Sequence, residues 1–94
     1  MKLKLTVDFF GVPRLLSGEK GVVIEVDDDA TLRDVNAELV RRFPSFLGRL
    51  ILPETYDLVE AYYFYNFYTG RAVREGEKLK GGERLLLMFV DAGG

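Results

Sequence analysis

The sequence contains no cysteine and no histidine among its 94 residues. Without thiolates or imidazoles it cannot build a zinc finger, an iron–sulfur cluster, a cysteine nucleophile or a Ser-His-Asp triad. Glutamine is absent too, and asparagine occurs only as Asn36 and Asn66, a shortage of thermolabile amides of the kind found in proteins from hot-growing sources. Long hydrophobic runs are missing: the apolar stretches are a few residues each, well short of the ~20 needed to span a bilayer. The opening Met1-Lys2-Leu3-Lys4-Leu5 starts like a strand and has neither the apolar region nor the small-residue cleavage site of a secretory signal. A cytoplasmic protein with no membrane partner is expected. Neither sign of charge dominates. Lys plus Arg number 13 and Asp plus Glu 15, for a net charge of -2, so no global field recruits nucleic acid or an anionic membrane. A chain of this length buries roughly 60–65% of its unfolded surface, enough for one core and a shallow pocket but not for a large enclosed active site.

What is present is a clear order of elements. From Lys2 to Phe9, Leu3, Leu5, Val7 and Phe9 alternate with Lys2, Lys4, Thr6 and Asp8, which predicts a strand with one buried face. Gly11, Pro13 and Gly18 mark a loop, and Val22, Ile24 and Val26 then alternate again, so the first two strands are expected to form a hairpin. Thr31 followed by Asp34 predicts a helix start, and Leu32, Val35, Leu39, Val40 and Phe43 form one apolar stripe that Pro44 ends. Residues 45–59 mix apolar residues with Gly48 and Pro53 and predict loop with a short helical turn. Ala61 to Tyr68 reads as an aromatic strand, Thr69-Gly70 as a tight turn into a short strand at 71–73, and Gly76 and Gly81-Gly82 as further turns. Arg84 to Val90, nearly all apolar, reads as a central strand. A hairpin, a crossing helix and a last strand placed beside the first describe an α+β, β-grasp architecture. Its mixed sheet of four to five strands carries one main helix on one face. The predicted division is a domain over residues 1–90 and a flexible tail over 91–94.

Several features invite chemistry. Asp27-Asp28-Asp29 could in principle hold a hard cation, but its spacing follows no calcium loop and neighbouring side chains point apart. A solvated turn ahead of the helix dipole is expected, with no metal site. Half of the chain's aromatic residues fall between Tyr62 and Tyr68. On a sheet, about half of them belong to the core, and the rest could stack nucleic-acid bases or contact a protein. The nearby Arg71, Arg74, Lys78, Lys80 and Arg84 are interleaved with Glu75, Glu77 and Glu83, which favours a protein contact through Tyr63 and Tyr65 over nucleic acid. In the reversed register Tyr62 and Phe64 would face outward instead. Gly81-Gly82 lacks the Gly-Lys-Ser/Thr ending of a phosphate loop, and the Ser and Thr hydroxyls have no histidine to activate them, so the chain is not expected to be an enzyme by itself.

The last four residues, Asp91-Ala92-Gly93-Gly94, follow the final strand directly. Four extended residues reach ~13 Å, and two glycines can pass through a narrow channel with backbone angles closed to other residues. A terminal carboxylate, with an intrinsic pKa of ~3.5, is a poor electrophile until another enzyme activates it. Taken with Leu5-Thr6-Val7-Asp8-Phe9-Phe10, Arg14-Leu15-Leu16-Ser17-Gly18, Ala30-Thr31-Leu32-Arg33-Asp34-Val35 and Leu79-Lys80-Gly81-Gly82-Glu83-Arg84-Leu85, this ending resembles the ubiquitin-like sulfur-carrier family. The resemblance is closest to its MoaD branch, the small subunit of molybdopterin synthase. It departs in residues 45–59 and in the aromatic stretch Tyr62 to Tyr65. The resemblance implies that a ubiquitin-activating-type enzyme, using ATP and Mg²⁺ that this chain does not itself bind, adenylates Gly94. A thiocarboxylate then forms there, and a larger synthase subunit takes up the tail. Gly94 is the reacting residue, Gly93 the one that lets it enter, and Asp91-Ala92 the stem. The same chemistry would also serve tRNA thiolation, thiamine or cysteine synthesis, or protein modification. A binding module with an inert tail is the remaining alternative.

Overall fold

Alternation over the first residues produces β1 (Lys2–Phe9), whose Leu5 and Val7 are fully buried and whose Phe9 is nearly so. The computed structural model describes residues 2–90. β1 pairs antiparallel with β2 (Gly21–Asp27), placing Leu5 opposite Ile24 and Val7 opposite Val22, as a hairpin requires. The approach is tight at Gly21, where any Cβ would lie 2.7 Å from the Val7 carbonyl oxygen. The connection is not the plain loop that Gly11, Pro13 and Gly18 predict, because residues Val12–Ser17 form a short helix, α1. Pro13 sits in its first turn, where a missing N–H costs nothing. Gly18, at φ 72°, closes it by donating its N–H to the Arg14 carbonyl at 2.9 Å.

The predicted main helix is α2 (Leu32–Arg42). The Thr31 N–H donates to the Asp34 carboxylate at 2.8 Å and the Thr31 hydroxyl donates to the same oxygen at 3.2 Å, securing its first turn. Val35 and Leu39 are fully buried, with Leu32, Val40 and Phe43 packed beside them. Residues 45–59 are the expected irregular segment with a short helical turn, but they reach deeper into the core than a loop reading implies. A 3-10 turn at Pro44–Phe46 is followed by bridges from Ile51 to Leu47 and Leu58, and Phe46, Leu50 and Ile51 are among the most deeply buried residues of the chain. The Phe46 carbonyl accepts the N–H groups of Leu50 at 2.8 Å and Ile51 at 3.0 Å, folding the segment inward without a regular element. Phe46 packs between Phe9 and Phe43, at centroid distances of 5.3 Å to each.

The aromatic strand β3 (Tyr62–Asn66), the two-residue β4 (Arg71–Ala72) and β5 (Arg84–Phe89) complete a five-stranded mixed sheet of order β2-β1-β5-β3-β4. β5 lies between β1, to which it is parallel, and β3, to which it is antiparallel. A parallel pair cannot be closed by a tight turn. The chain spanning α2 and residues 44–81 is the required crossover, and α2 packs on one sheet face while the other is left uncovered by helix. This is the β-grasp arrangement. The only charged group in the interior of the described residues is Glu83, held by Asn66 Nδ2 at 2.9 Å and the Lys80 N–H at 2.6 Å. Asn66 in turn accepts the Tyr68 N–H at 2.8 Å, so this pair fixes the β3–β4 turn to the start of β5.

Candidate functional site

β5 carries the chain from the centre of the sheet toward its end. Leu85 and Leu87 point into the core, while Leu86 and Met88 are half-buried on the opposite face. Tyr63 stands opposite Met88, and its hydroxyl lies 3.6 Å from the Met88 sulfur; Tyr65 stands opposite Leu86 and meets Phe67 edge-on at 5.4 Å. Phe64 is buried and Tyr62 packs on the core, so the register is the one that turns Tyr63 and Tyr65 outward. The result is a continuous aromatic and aliphatic band on the helix-free face. One flank is polar: Arg84 grips Asp8 through two bonds of 2.6 and 3.1 Å, and this contact raises the guanidinium's pKa above its ordinary value.

At the end of β5 the band meets a second apolar group that the sequence pattern does not announce. Phe10 is 70% exposed, Phe89 58% and Val90 49%, and Val12 on α1 is also exposed. Phe10, Gly11, Val12, Pro13, Tyr62, Met88 and Phe89 line a shallow groove of about 400 Å³. Tyr62 meets Phe89 edge-on at 5.2 Å, and the Val90 N–H donates to the Ala61 carbonyl at 2.6 Å, which holds this last described residue against the start of β3. Exposed rings of this size ringing a chain exit are costly to leave in water and mark a contact surface. The signal available in the sequence is Phe10, an aromatic residue at a position where the β1 alternation calls for a polar one.

The expected reacting and stem residues, Gly94, Gly93, Ala92 and Asp91, lie outside the described residues. Two of the basic residues near the aromatic strand are paired with carboxylates, Arg84 with Asp8 and Arg71 with Glu77. Arg71 is bound to Glu77 at 2.8 Å, and the Glu77 carboxyl is held below its usual range first by that bond and then by the Arg74 N–H. Asp27 is bound to Lys2 at 2.9 Å, Asp28 and Asp29 occupy a turn, and no cluster able to hold a metal is found among the described residues. No helix among them is long and apolar enough to cross a membrane.

Neither a protein-family model nor a curated protein matches the chain by sequence. Solved structures do. The crystal structure of small archaeal modifier protein 1 from Haloferax volcanii superposes with a TM-score of 0.80 at 25% identity, covering 97% of this chain and 99% of that one. A Pyrococcus furiosus protein assigned as molybdopterin converting factor subunit 1 gives 0.73 at 26% identity, covering 95% and 99%. The chain is similar, over nearly its whole length, to ubiquitin-like proteins of the MoaD/ThiS type. The ubiquitin of Caldiarchaeum subterraneum shares the fold of this ubiquitin-like protein, with a TM-score of 0.57 at 17% identity over the whole of both chains.

Proposed function

We propose that this ubiquitin-like protein is a sulfur carrier that acts through its Gly94 carboxylate. A partner adenylating enzyme joins the carboxylate to the AMP of ATP with loss of pyrophosphate, and a sulfur donor then displaces AMP to leave a thiocarboxylate. The observation that supports this reading is the exposed apolar collar of Phe10, Val12, Phe89 and Val90 at the end of the described chain, which Asp91-Ala92-Gly93-Gly94 follow in sequence. Four residues extend only ~13 Å, so an enzyme holding Gly94 in its active site must lie against that collar. The outward band of Tyr63 and Tyr65 continues the same surface, and Tyr and Phe are the residue types that protein interfaces enrich. In the finer form of the proposal the thiocarboxylate supplies sulfur for molybdopterin formation, with a larger synthase subunit seated on this surface.

A second reading, attachment of the activated carboxylate to lysines of other proteins, is favoured by the similarity to a protein named as an archaeal modifier. Both share the adenylation step and differ in the acceptor. The test is incubation with ATP, Mg²⁺, sulfide and the adenylating enzyme from the same source, followed by intact mass measurement. Exchange of one oxygen for sulfur is expected in the wild-type protein and absent after deletion of Gly94 or in Gly93→Val, whose branched side chain cannot follow the glycine path. Equal conversion of the truncated variant would end the carrier reading. Isopeptide-linked products in place of the thiocarboxylate would favour the modifier.

A further inference from the structure

β2 is the outermost strand of the sheet, and among the described residues β1 is its only neighbour. The Phe9 N–H donates to the Lys20 carbonyl at 2.8 Å, and these two residues stand opposite one another by the β1–β2 register. In an antiparallel ladder hydrogen-bonded pairs alternate with non-bonded ones. Val22, Ile24 and Val26 therefore turn their main-chain groups toward β1, and Gly21, Val23, Glu25 and Asp27 turn theirs away from the sheet. The edge is seven residues long, contains no proline, and carries Val23 at 53% exposure in its middle. Such a row of unpaired N–H and C=O groups is a template for another strand.

Charge selects what can fill it. Between the β2 edge and α2 a groove of about 430 Å³ is lined by Glu25, Asp27, Asp29, Asp34 and Glu38, with Val26 and Ala30 at its base. Lys2 is the one cation in this lining, and it is bound to Asp27. Glu38 is paired with Arg41, and Asp34 with the Thr31 cap; among the described residues neither Glu25 nor Asp29 forms an ion pair, and Lys4 is the cation opposite Glu25 in the β1–β2 register. A second copy of this chain docking edge to edge would bring two such acidic grooves together, an arrangement that like charges disfavour.

We propose that the β2 edge accepts an extended peptide bearing alternate lysine or arginine residues as a sixth strand, its main chain pairing with Val23 and Glu25 and its cations facing Glu25 and Asp29. This surface is separated from the chain exit by β1 and does not depend on the chemistry at Gly94.

The probe is a capped seven-residue peptide of alternating lysine and valine, titrated into the isotopically labelled full chain, with the glutamate-valine peptide as control. Saturable binding by the lysine peptide alone is expected, with amide exchange at Val23 and Glu25 slowed at least about tenfold. Val23→Pro removes an N–H the fold does not use, and proline is tolerated at outward edge positions, so this variant should stay folded and lose the binding. Glu25→Lys with Asp29→Lys should weaken it about fivefold, as two exposed pairs of ordinary strength predict. Binding that leaves the Val23 and Glu25 amides exchanging freely, equal binding of both peptides, or no binding by the lysine peptide overturns the proposal.

Discussion

Replacing Asn66 by Ala removes the amide that joins two parts of the sheet. Asn66 is fully buried and Glu83 is 6% exposed, so neither can exchange its partner for water. The Asn66 Nδ2 donates to the Glu83 carboxylate at 2.9 Å, and its Oδ1 accepts the Tyr68 N–H at 2.8 Å. A hydrogen bond to a charged buried group contributes about 1.5–3 kcal/mol, and the turn N–H adds about 1 kcal/mol more. Asn66→Ala should therefore cost about 2.5–4 kcal/mol out of the roughly 5–15 kcal/mol that holds a domain of this size together. The melting temperature should fall by roughly 10–30 °C. Urea melts of Asn66→Ala, Glu83→Ala and the double variant separate the bond from the packing. Once the orphaned carboxylate is also removed, the double variant should lose about 1–2 kcal/mol less than the two single losses combined. Additive losses to within about 0.5 kcal/mol, or an Asn66→Ala cost below about 1 kcal/mol, would refute the claim that this pair fastens the turn to β5.

Phe46→Ala and Leu87→Ala, measured in the same melts, should cost about 3–5 and 2–5 kcal/mol, because both side chains are fully buried; losses under about 1 kcal/mol would show that the sites are not core. Stability should be flat from pH 8 to about pH 5, since the chain has no histidine to titrate there. It should decline below about pH 4: Glu38, Asp57 and Glu77 are held below their usual range by Arg41, Arg33 and Arg71 respectively, so the unfolded chain takes up protons first as pH falls, and urea midpoints that stay level to pH 3 would contradict this.

How legible each part was depended on whether one residue pattern determined it. β1, β2 and α2 bury one face each, so a period of two or of three to four is written into their sequences, and the capping pair Thr31 and Asp34 marks a boundary that the structure keeps. Residues 45–59 have no period because Phe46, Leu50 and Ile51 reach the core from an irregular path fixed by main-chain bonds to the Phe46 carbonyl. α1 was hidden for a related reason. At six residues it is too short to show a stripe, and Pro13 and Gly18 serve equally well as loop markers and as helix ends. The outward aromatic band was half legible: alternation divided Tyr62 to Tyr65 between two faces, but choosing between those faces required the pairing of Phe64 with buried Leu87.

The parallel contact between β1 and β5 links these local choices to the proposed chemistry. Because β5 is inserted between β1 and β3, it is anchored from both sides as far as Leu87, by the ladder to Phe9, and beyond that by the β3 ladder and the Val90 bond to Ala61. A chain leaving an edge strand would lack one of those anchors. Phe10 follows β1 directly and Tyr62 opens β3, so the same insertion gathers Phe10, Tyr62, Met88 and Phe89 around one exit point although they are far apart in sequence. The fold thus gives the chain a fixed point at Val90 with an apolar surface around it, which is what the proposed carrier function asks of it. On the proposed function, Phe89→Ser should weaken binding of the adenylating enzyme in a titration while the urea midpoint stays near that of the wild type, because the core residues Leu85 and Leu87 remain in place.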